Sequence, residues 1–144
     1  NYWLDRLPAY AMLNRFGTPG ITIADVNNDG LEDLYLCQEP GIPNKLFIQM
    51  QDGKLKDSSE EFGVNWLEDS RSSLIVDLNN NGHRDLVVAM YGYVAIAENL
   101  GMNKGFKLIE IIPTNESNTS LAAADFDLDG KLDVYVCCYA PNRR

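Results

Sequence analysis

The chain has 144 residues, 21 acidic against 12 basic side chains, and a formal net charge of −9 at pH 7. That balance argues against nucleic acid or an anionic membrane surface as partner. No apolar run reaches the ~18 residues of a transmembrane helix, since the longest, 86–97, is interrupted by Gly92.

Taken in order, the predicted elements are short strands with no amphipathic helix among them. Ile21–Ala24 leads into Asp25-Val26-Asn27-Asn28-Asp29-Gly30-Leu31-Glu32-Asp33, and Leu34–Cys37 leaves it. Leu46–Gln51 and Lys54–Ser58 follow, joined by a hairpin turn at Asp52-Gly53. Leu74–Val76 enters a second loop, Asp77-Leu78-Asn79-Asn80-Asn81-Gly82-His83-Arg84-Asp85, and Leu86–Ala89 leaves it. A turn at Tyr91-Gly92 then leads to Val94–Glu98 and Phe106–Ile112. The stretch 113–120 reads as a polar loop carrying two sequons, at Asn115 and Asn118, which matter only in a eukaryotic secretory pathway. Leu121–Ala124 enters the third loop, Asp125-Phe126-Asp127-Leu128-Asp129-Gly130-Lys131-Leu132-Asp133, and Val134–Cys137 leaves it.

The three loops share one pattern, and their first aspartates lie 52 and then 48 residues apart. Oxygens at positions 1, 3 and 5 converge, glycine at position 6 allows the sharp turn, and position 7 offers a backbone carbonyl. The expected ligands are therefore Asp25, Asn27, Asp29, Leu31 and Asp33; Asp77, Asn79, Asn81, His83 and Asp85; and Asp125, Asp127, Asp129, Lys131 and Asp133. Leu31, His83 and Lys131 would act through their carbonyls, which leaves those side chains free to vary. Hard oxygen donors with no thiolate or imidazole ligand point to Ca²⁺, up to three ions, over zinc, copper or magnesium. A single Asp/Asn/Gly turn would carry no such meaning; three in register do. An EF-hand is excluded, because it needs a glutamate at position 12 and flanking helices. Here position 12 is Leu36, Val88 and Val136, and the flanks are strands. Carboxylates are most numerous in the third loop and fewest in the second, so ligand charge alone ranks the third tightest and the second weakest. Clustered carboxylates repel one another without metal, so metal binding and folding are expected to be coupled.

Strand, D-x-[DN]-x-[DN]-G-x-x-D, strand, at a period near fifty, resembles the FG-GAP or VCBS repeats of integrin-alpha-like β-propellers. Phe16-Gly17 and Phe62-Gly63 are similar to the FG element, and Asn44–Phe47, Asp52–Asp57 and Phe62–Val64 to the linking stretch of bacterial-type members. The third unit has no FG pair, and Cys37-Gln38, Ala89-Met90 and Cys137-Cys138 stand where the GAP element would fall. The resemblance implies an all-β fold in which each repeat forms a blade of four antiparallel strands, usually in a ring of seven. The repeats fall at about 16–61, 62–112 and 113–144, the last incomplete. Two full repeats and part of a third are too few to close a ring. With Asn1 as first residue and no secretory signal, the chain reads as one segment of a longer propeller, ahead of a self-closing homo-oligomer. Its partners would be the remaining blades and a protein or glycan ligand. Acidic calcium loops suit an extracellular, cell-surface or periplasmic setting, where calcium is plentiful. The expected role is non-catalytic, in adhesion or binding. The alternative is part of a secreted polysaccharide lyase or hydrolase that contains a propeller.

Other residues carry weaker signals. His83, the one histidine, reads as an exposed loop side chain rather than a catalytic base. Cys37 and Cys137 occupy the same repeat position and read as packing residues, and three cysteines define no disulfide framework. Glu60 and Glu61 read as a solvated face, although they, or Glu98 with Glu110, remain formal candidates for a carboxylate pair. Trp3 and Trp66 read as packing before sugar stacking. Nucleophile-elbow, zinc-protease and phosphate-loop motifs do not occur.

Overall fold

A computed structural model describes residues 19–139, and Trp3, Phe16 and Gly17 lie outside that range. Within it every regular element is a β-strand, and no helix is long and apolar enough to cross a membrane. The strands are β1 (Ile21–Ala24), β2 (Asp33–Leu36), β3 (Lys45–Gln49), β4 (Leu55–Asp57), β5 (Ser70–Val76), β6 (Asp85–Asn99), β7 (Phe106–Ala124) and β8 (Asp133–Tyr139). They form two antiparallel sheets in sequence order, β1-β2-β3-β4 and β5-β6-β7-β8.

The first sheet is one blade. Asp52-Gly53 turns between β3 and β4 as expected: Gly53 adopts φ 79° and its N–H donates to the Met50 carbonyl at 2.8 Å. The second sheet is larger than its strand count implies, because β6 folds back on itself. Fifteen extended residues would span roughly 46 Å, yet the Asn99 N–H lies 2.9 Å from Asp85 Oδ1 at the opposite end of the strand. The reversal falls at Tyr91-Gly92, where Gly92 takes φ 84° and Asn118 Nδ2 donates to both the Met90 and Tyr93 carbonyls. The expected turn is thus present, inside one unbroken extended span.

The stretch 113–120 departs from expectation. It is not a loop: β7 runs through it, pairing Phe106–Pro113 with the second arm of β6 and Ser117–Ala124 with β8. β7 therefore closes one blade and opens the next. Asn118 is fully buried with its amide nitrogen engaged by two carbonyls, so the fold leaves no room for a glycan there. The side chain of Asn115 lies outside the described residues.

The strands that leave the loops show how blades stack. β2 alternates buried and half-buried residues, whereas the first arm of β6 is buried at every position from Asp85 to Met90. Alternation marks a sheet covered on one face, and continuous burial a sheet covered on both. The middle blade is thus flanked on both sides. Tyr35, Leu46, Ile48, Phe62, Val64, Leu86, Val88, Met90 and Ala97 share the core between the first two blades. Trp66 packs against that cluster, in keeping with a packing role. Phe62, of the FG pair, is buried, stacks obliquely on Phe106 at 6.4 Å between ring centroids, and accepts the Phe106 N–H at its carbonyl. Gly105 is required beside it, since a Cβ there would meet the Phe62 backbone at 2.7 Å.

The entering strands also meet. Thr22 Oγ1 of β1 donates to the Ser73 carbonyl of β5 at 2.8 Å, and the Leu121 N–H of β7 donates to Ser72 Oγ at 3.3 Å. β5 therefore stands between the equivalent strands of the repeats before and after it, the arrangement of inner strands in a partial propeller.

Candidate metal centre

Each loop closes through the same hydrogen bonds. In the first, Asp25 Oδ1 accepts the Asp29 N–H at 3.1 Å and Oδ2 accepts the Gly30 N–H at 2.9 Å. Asn27 Oδ1 accepts the Asp29 N–H at 3.1 Å, and Asp29 Oδ1 accepts the Leu31 N–H at 2.8 Å. The second loop repeats this with Asp77, Asn79 and Asn81, and the third with Asp125, Asp127 and Asp129, each distance within 0.1 Å of its counterpart. Position 6 has φ 85°, 84° and 87° at Gly30, Gly82 and Gly130, the left-handed region where glycine carries no steric penalty. Position 4 is also left-handed, at Asn28, Asn80 and Leu128. Asparagine tolerates this conformation better than leucine does.

The aspartate at position 9 joins loop to blade. Asp33 Oδ2 accepts the Val26 N–H at 2.9 Å, and its Oδ1 accepts the Gln49 N–H of β3 at 2.9 Å. Asp85 does the same with Leu78 and Asn99. Asp133 accepts the Phe126 N–H at 2.9 Å. Burial pushes the pKa of Asp33 up, opposed by its two backbone donors and reinforced by the charges of Asp29 and Asp25. Asp85 is raised for the same reason, with Asp77 and Glu98 adding repulsion. Carboxylates whose pKa is raised chiefly by burial, with neighbouring anions adding to it, are groups whose charged form a nearby cation would favour.

The third loop shows the convergence most directly. Asp125, Asp127 and Asp133 present carboxylate oxygens all within 4.8 Å of one another. In the first two loops position 3 is asparagine, which contributes a carbonyl oxygen in place of a carboxylate. The third loop thus brings positions 1, 3 and 9 together, and in all three loops position 5 is turned so that one oxygen holds the position 7 N–H. Leu31, His83 and Lys131 come next after the left-handed glycine, with their N–H groups held by position 5. This donor set, all hard oxygen, fits calcium chemically.

Two side chains near the second loop escape a reading of the loops alone. Glu98 Oε1 lies 3.4 Å from Asn79 Nδ2, so a carboxylate from the second arm of β6 stands beside the loop that is poorest in them. Its signal was its place just before Asn99, which only the strand register reveals. His83 is half-buried rather than exposed: a Cβ on Gly101 would lie 2.5 Å from its ring, and Nδ1 is 3.3 Å from Asn28 Nδ2.

The remaining candidates separate. Cys37 is buried, with its thiol pushed up to about 11 by burial, as a packing residue should be, whereas Cys137 is exposed; all three cysteines are free. Glu98 pairs across the strands with Lys107, and Glu110 with Ile96, so these two glutamates are not opposite one another. Glu60 and Glu61 are exposed, on an open cavity of about 660 Å³ also lined by Lys45 and Asp57. There Lys45 and Asp57 form an ion pair at 2.7 Å, as do Lys56 and Glu61. The ammonium of Lys45, with the Ser59 hydroxyl, holds Asp57 down to about 2, which keeps it ionised and unsuited to protonating a substrate. A second cavity of about 260 Å³, lined by Asn27, Asp29, Gln49 and Lys56 among others, opens beside the first loop.

No curated protein sequence matches the chain. The family model for the FG-GAP-like repeat matches it twice, over residues 25–88 and 77–136. Each match starts at the first aspartate of one loop, or just at it, and ends on the strand leaving the next. Together the matches span most of the chain, across the same loops and strands whose geometry repeats, and the chain belongs to the FG-GAP-like repeat family.

Proposed function

We propose that this chain is a calcium-braced, non-catalytic segment of an extracellular, cell-surface or periplasmic β-propeller, holding surface loops for a protein or glycan ligand. The observation that carries the calcium reading is the convergence of Asp125, Asp127 and Asp133 within 4.8 Å, on a hydrogen-bond frame that all three loops share. Calcium would be held by positions 1, 3, 5 and 9 and by the position 7 carbonyl. It would offset most of the local negative charge and tie each entering strand to its leaving strand. The binding role draws support from Asp57 in the larger of the two cavities, which its ion pair with Lys45 keeps ionised and so unsuited to acid catalysis.

Thermal unfolding of the chain with millimolar calcium, with magnesium, and with a chelator tests the reading. At a hundredfold excess over Kd, each site adds about 2.7 kcal/mol, so calcium should raise Tm by several degrees and magnesium by less. An unchanged Tm on chelation at neutral pH defeats it.

A further inference from the structure

Consecutive loops are tied together by the residue at position 4. Asn28 Nδ2 of the first loop donates to the Gly82 carbonyl of the second at 3.0 Å. One repeat on, Asn80 Nδ2 donates to the Gly130 carbonyl of the third at 2.7 Å. Donor and acceptor occupy the same loop positions each time, 4 to 6, so this is a property of the repeat and not an isolated contact. In the third loop position 4 is Leu128, which has no amide to give and is exposed.

The placement has a chemical consequence. Asn28 stands between Asn27 and Asp29, and Asn80 between Asn79 and Asn81, so both neighbours of each clasp residue are proposed ligands. A metal drawing positions 3 and 5 together fixes the backbone of position 4 and aims its amide. At the far end, the carbonyl it holds belongs to the peptide just before position 7, whose own carbonyl is a proposed ligand. Holding that peptide plane orients the next carbonyl toward its metal. We infer that Asn28 and Asn80 couple the metal loops in series, so that filling one loop raises the calcium affinity of its neighbour. The inference rests on the calcium reading above, and by linkage the coupling acts equally in both directions.

The two junctions differ. Between the first and second loops, Arg84 Nη1 also donates to the Asp25 carbonyl, and Asn99 Nδ2 donates to the Val26 carbonyl at 2.8 Å. Between the second and third, Asn80 makes the one loop-to-loop hydrogen bond among the described residues. The second junction therefore gives the cleaner test.

Glycine keeps the left-handed backbone of position 4 and removes only the amide, so Asn80→Gly is the informative variant. The backbone N–H groups of Gly30, Gly82 and Gly130 each donate to the first aspartate of their own loop, which makes them separate reporters of the three sites in an NMR calcium titration. In the full chain, Asp77→Ala, which empties the second loop, should move the Gly130 midpoint to higher calcium. The expected factor is on the order of fivefold, the equilibrium weight of one net hydrogen bond. With Asn80→Gly in place, Asp77→Ala should move it no further. The equivalent cycle with Asn28→Gly, Asp25→Ala and Gly82 should lose only part of the coupling, because Arg84 and Asn99 still bridge. Unshifted Tyr35 and Leu46 resonances confirm that the blade is intact. If Asp77→Ala shifts Gly130 equally with and without the Asn80 amide, the coupling inference fails while the calcium reading stands. If none of the three glycines responds to calcium in the unaltered chain, the calcium reading fails and the coupling with it.

Discussion

Tyr35 and Tyr135 hold the same place in the first and third repeats, two residues into the strand that leaves the loop, yet Tyr35 is 0% exposed and Tyr135 65%. Val26 and Phe126, each at loop position 2, differ in the same way, at 3% and 79%. The loops between these residues are the same to within a tenth of an ångström in their hydrogen bonds. The contrast separates two levels of the fold. Loop closure is local, since the side chains at positions 1, 3 and 5 reach backbone donors no more than five residues away and position 9 reaches back seven to position 2. Burial of the blade is collective: Tyr35 shares one buried cluster with Leu86 and Val88 of the following repeat, and its hydroxyl donates to the Val64 carbonyl at 3.3 Å. No described residue does the same for Tyr135.

The largest test of this contrast is truncation of the two tyrosines. Tyr35→Ala opens a cavity between blades and should cost about 3–5 kcal/mol in urea unfolding. Tyr135→Ala should stay within about 0.5 kcal/mol. Equal losses would show that the third repeat is covered in solution and break the comparison. The next step down is position 9 in metal-free protein. Asp33→Ala strands two backbone donors, those of Val26 and Gln49, with Asp33 itself fully buried, at a cost of about 2–4 kcal/mol. Asp133→Ala frees the exposed Phe126 N–H to water and should cost about 1 kcal/mol or less.

These levels also explain what could be seen in the sequence. The loops, their flanking strands and the Asp52-Gly53 turn were legible because each depends on residues within a few positions: Gly at a left-handed site, short β-branched runs, and aspartates spaced for Asx-type closure. The repeat family was legible for the same reason, as the pattern recurs. The course of β7 was not. Pro113, Asn115 and Asn118 favour a loop locally, and pairing with both β6 and β8 overrides that preference. The buried state of Asn118, the seat of His83 against Gly101 and the approach of Glu98 to the second loop all depend on register between strands far apart in sequence. Position 4 is the subtlest case. Asn28 and Asn80 stand at no ligand position, and their role needs the next loop in place to accept their amides.

A smaller effect tests the enclosed position 9 carboxylates through pH. Asp33 and Asp85 have raised pKa values in the fold, so just above the ordinary carboxylate value of 3.8 the folded chain binds more protons than the unfolded one. Metal-free stability should therefore rise as pH falls from neutral through their folded pKa values. Asp57, held near 2 by Lys45 and Ser59, has the opposite sign: its contribution is present above the unfolded value and lost as pH falls toward 2. A metal-free Tm measured against pH should thus pass through a mildly acidic maximum. With saturating calcium the acid side should invert, because protons compete with the metal for the same oxygens. A monotonic fall on acidification without metal would show that the buried aspartates do not govern the response.

The smallest effect concerns Glu98, and it bears on the ranking of the three loops. Counting loop carboxylates alone makes the second site the weakest, with Asp77 and Asp85 its two carboxylates. Glu98 stands against Asn79 and adds its charge to the field at Asp85, which brings the second loop level with the first. The third loop has the most carboxylates but the least enclosure: Asp133 is exposed where Asp33 and Asp85 are buried. Charge favours the third site and rigidity the first two, and ligand charge and site rigidity both tune affinity. Glu98→Gln keeps the shape and hydrogen-bonding reach of the side chain while removing its charge. It should weaken calcium binding reported by Gly82 by a factor of about three to ten, the weight of roughly 1 kcal/mol of charge interaction at a partly exposed site. Gly30 and Gly130, on their own loops, should shift far less. An unchanged Gly82 midpoint would place Glu98 outside the site and return the second loop to last in the order.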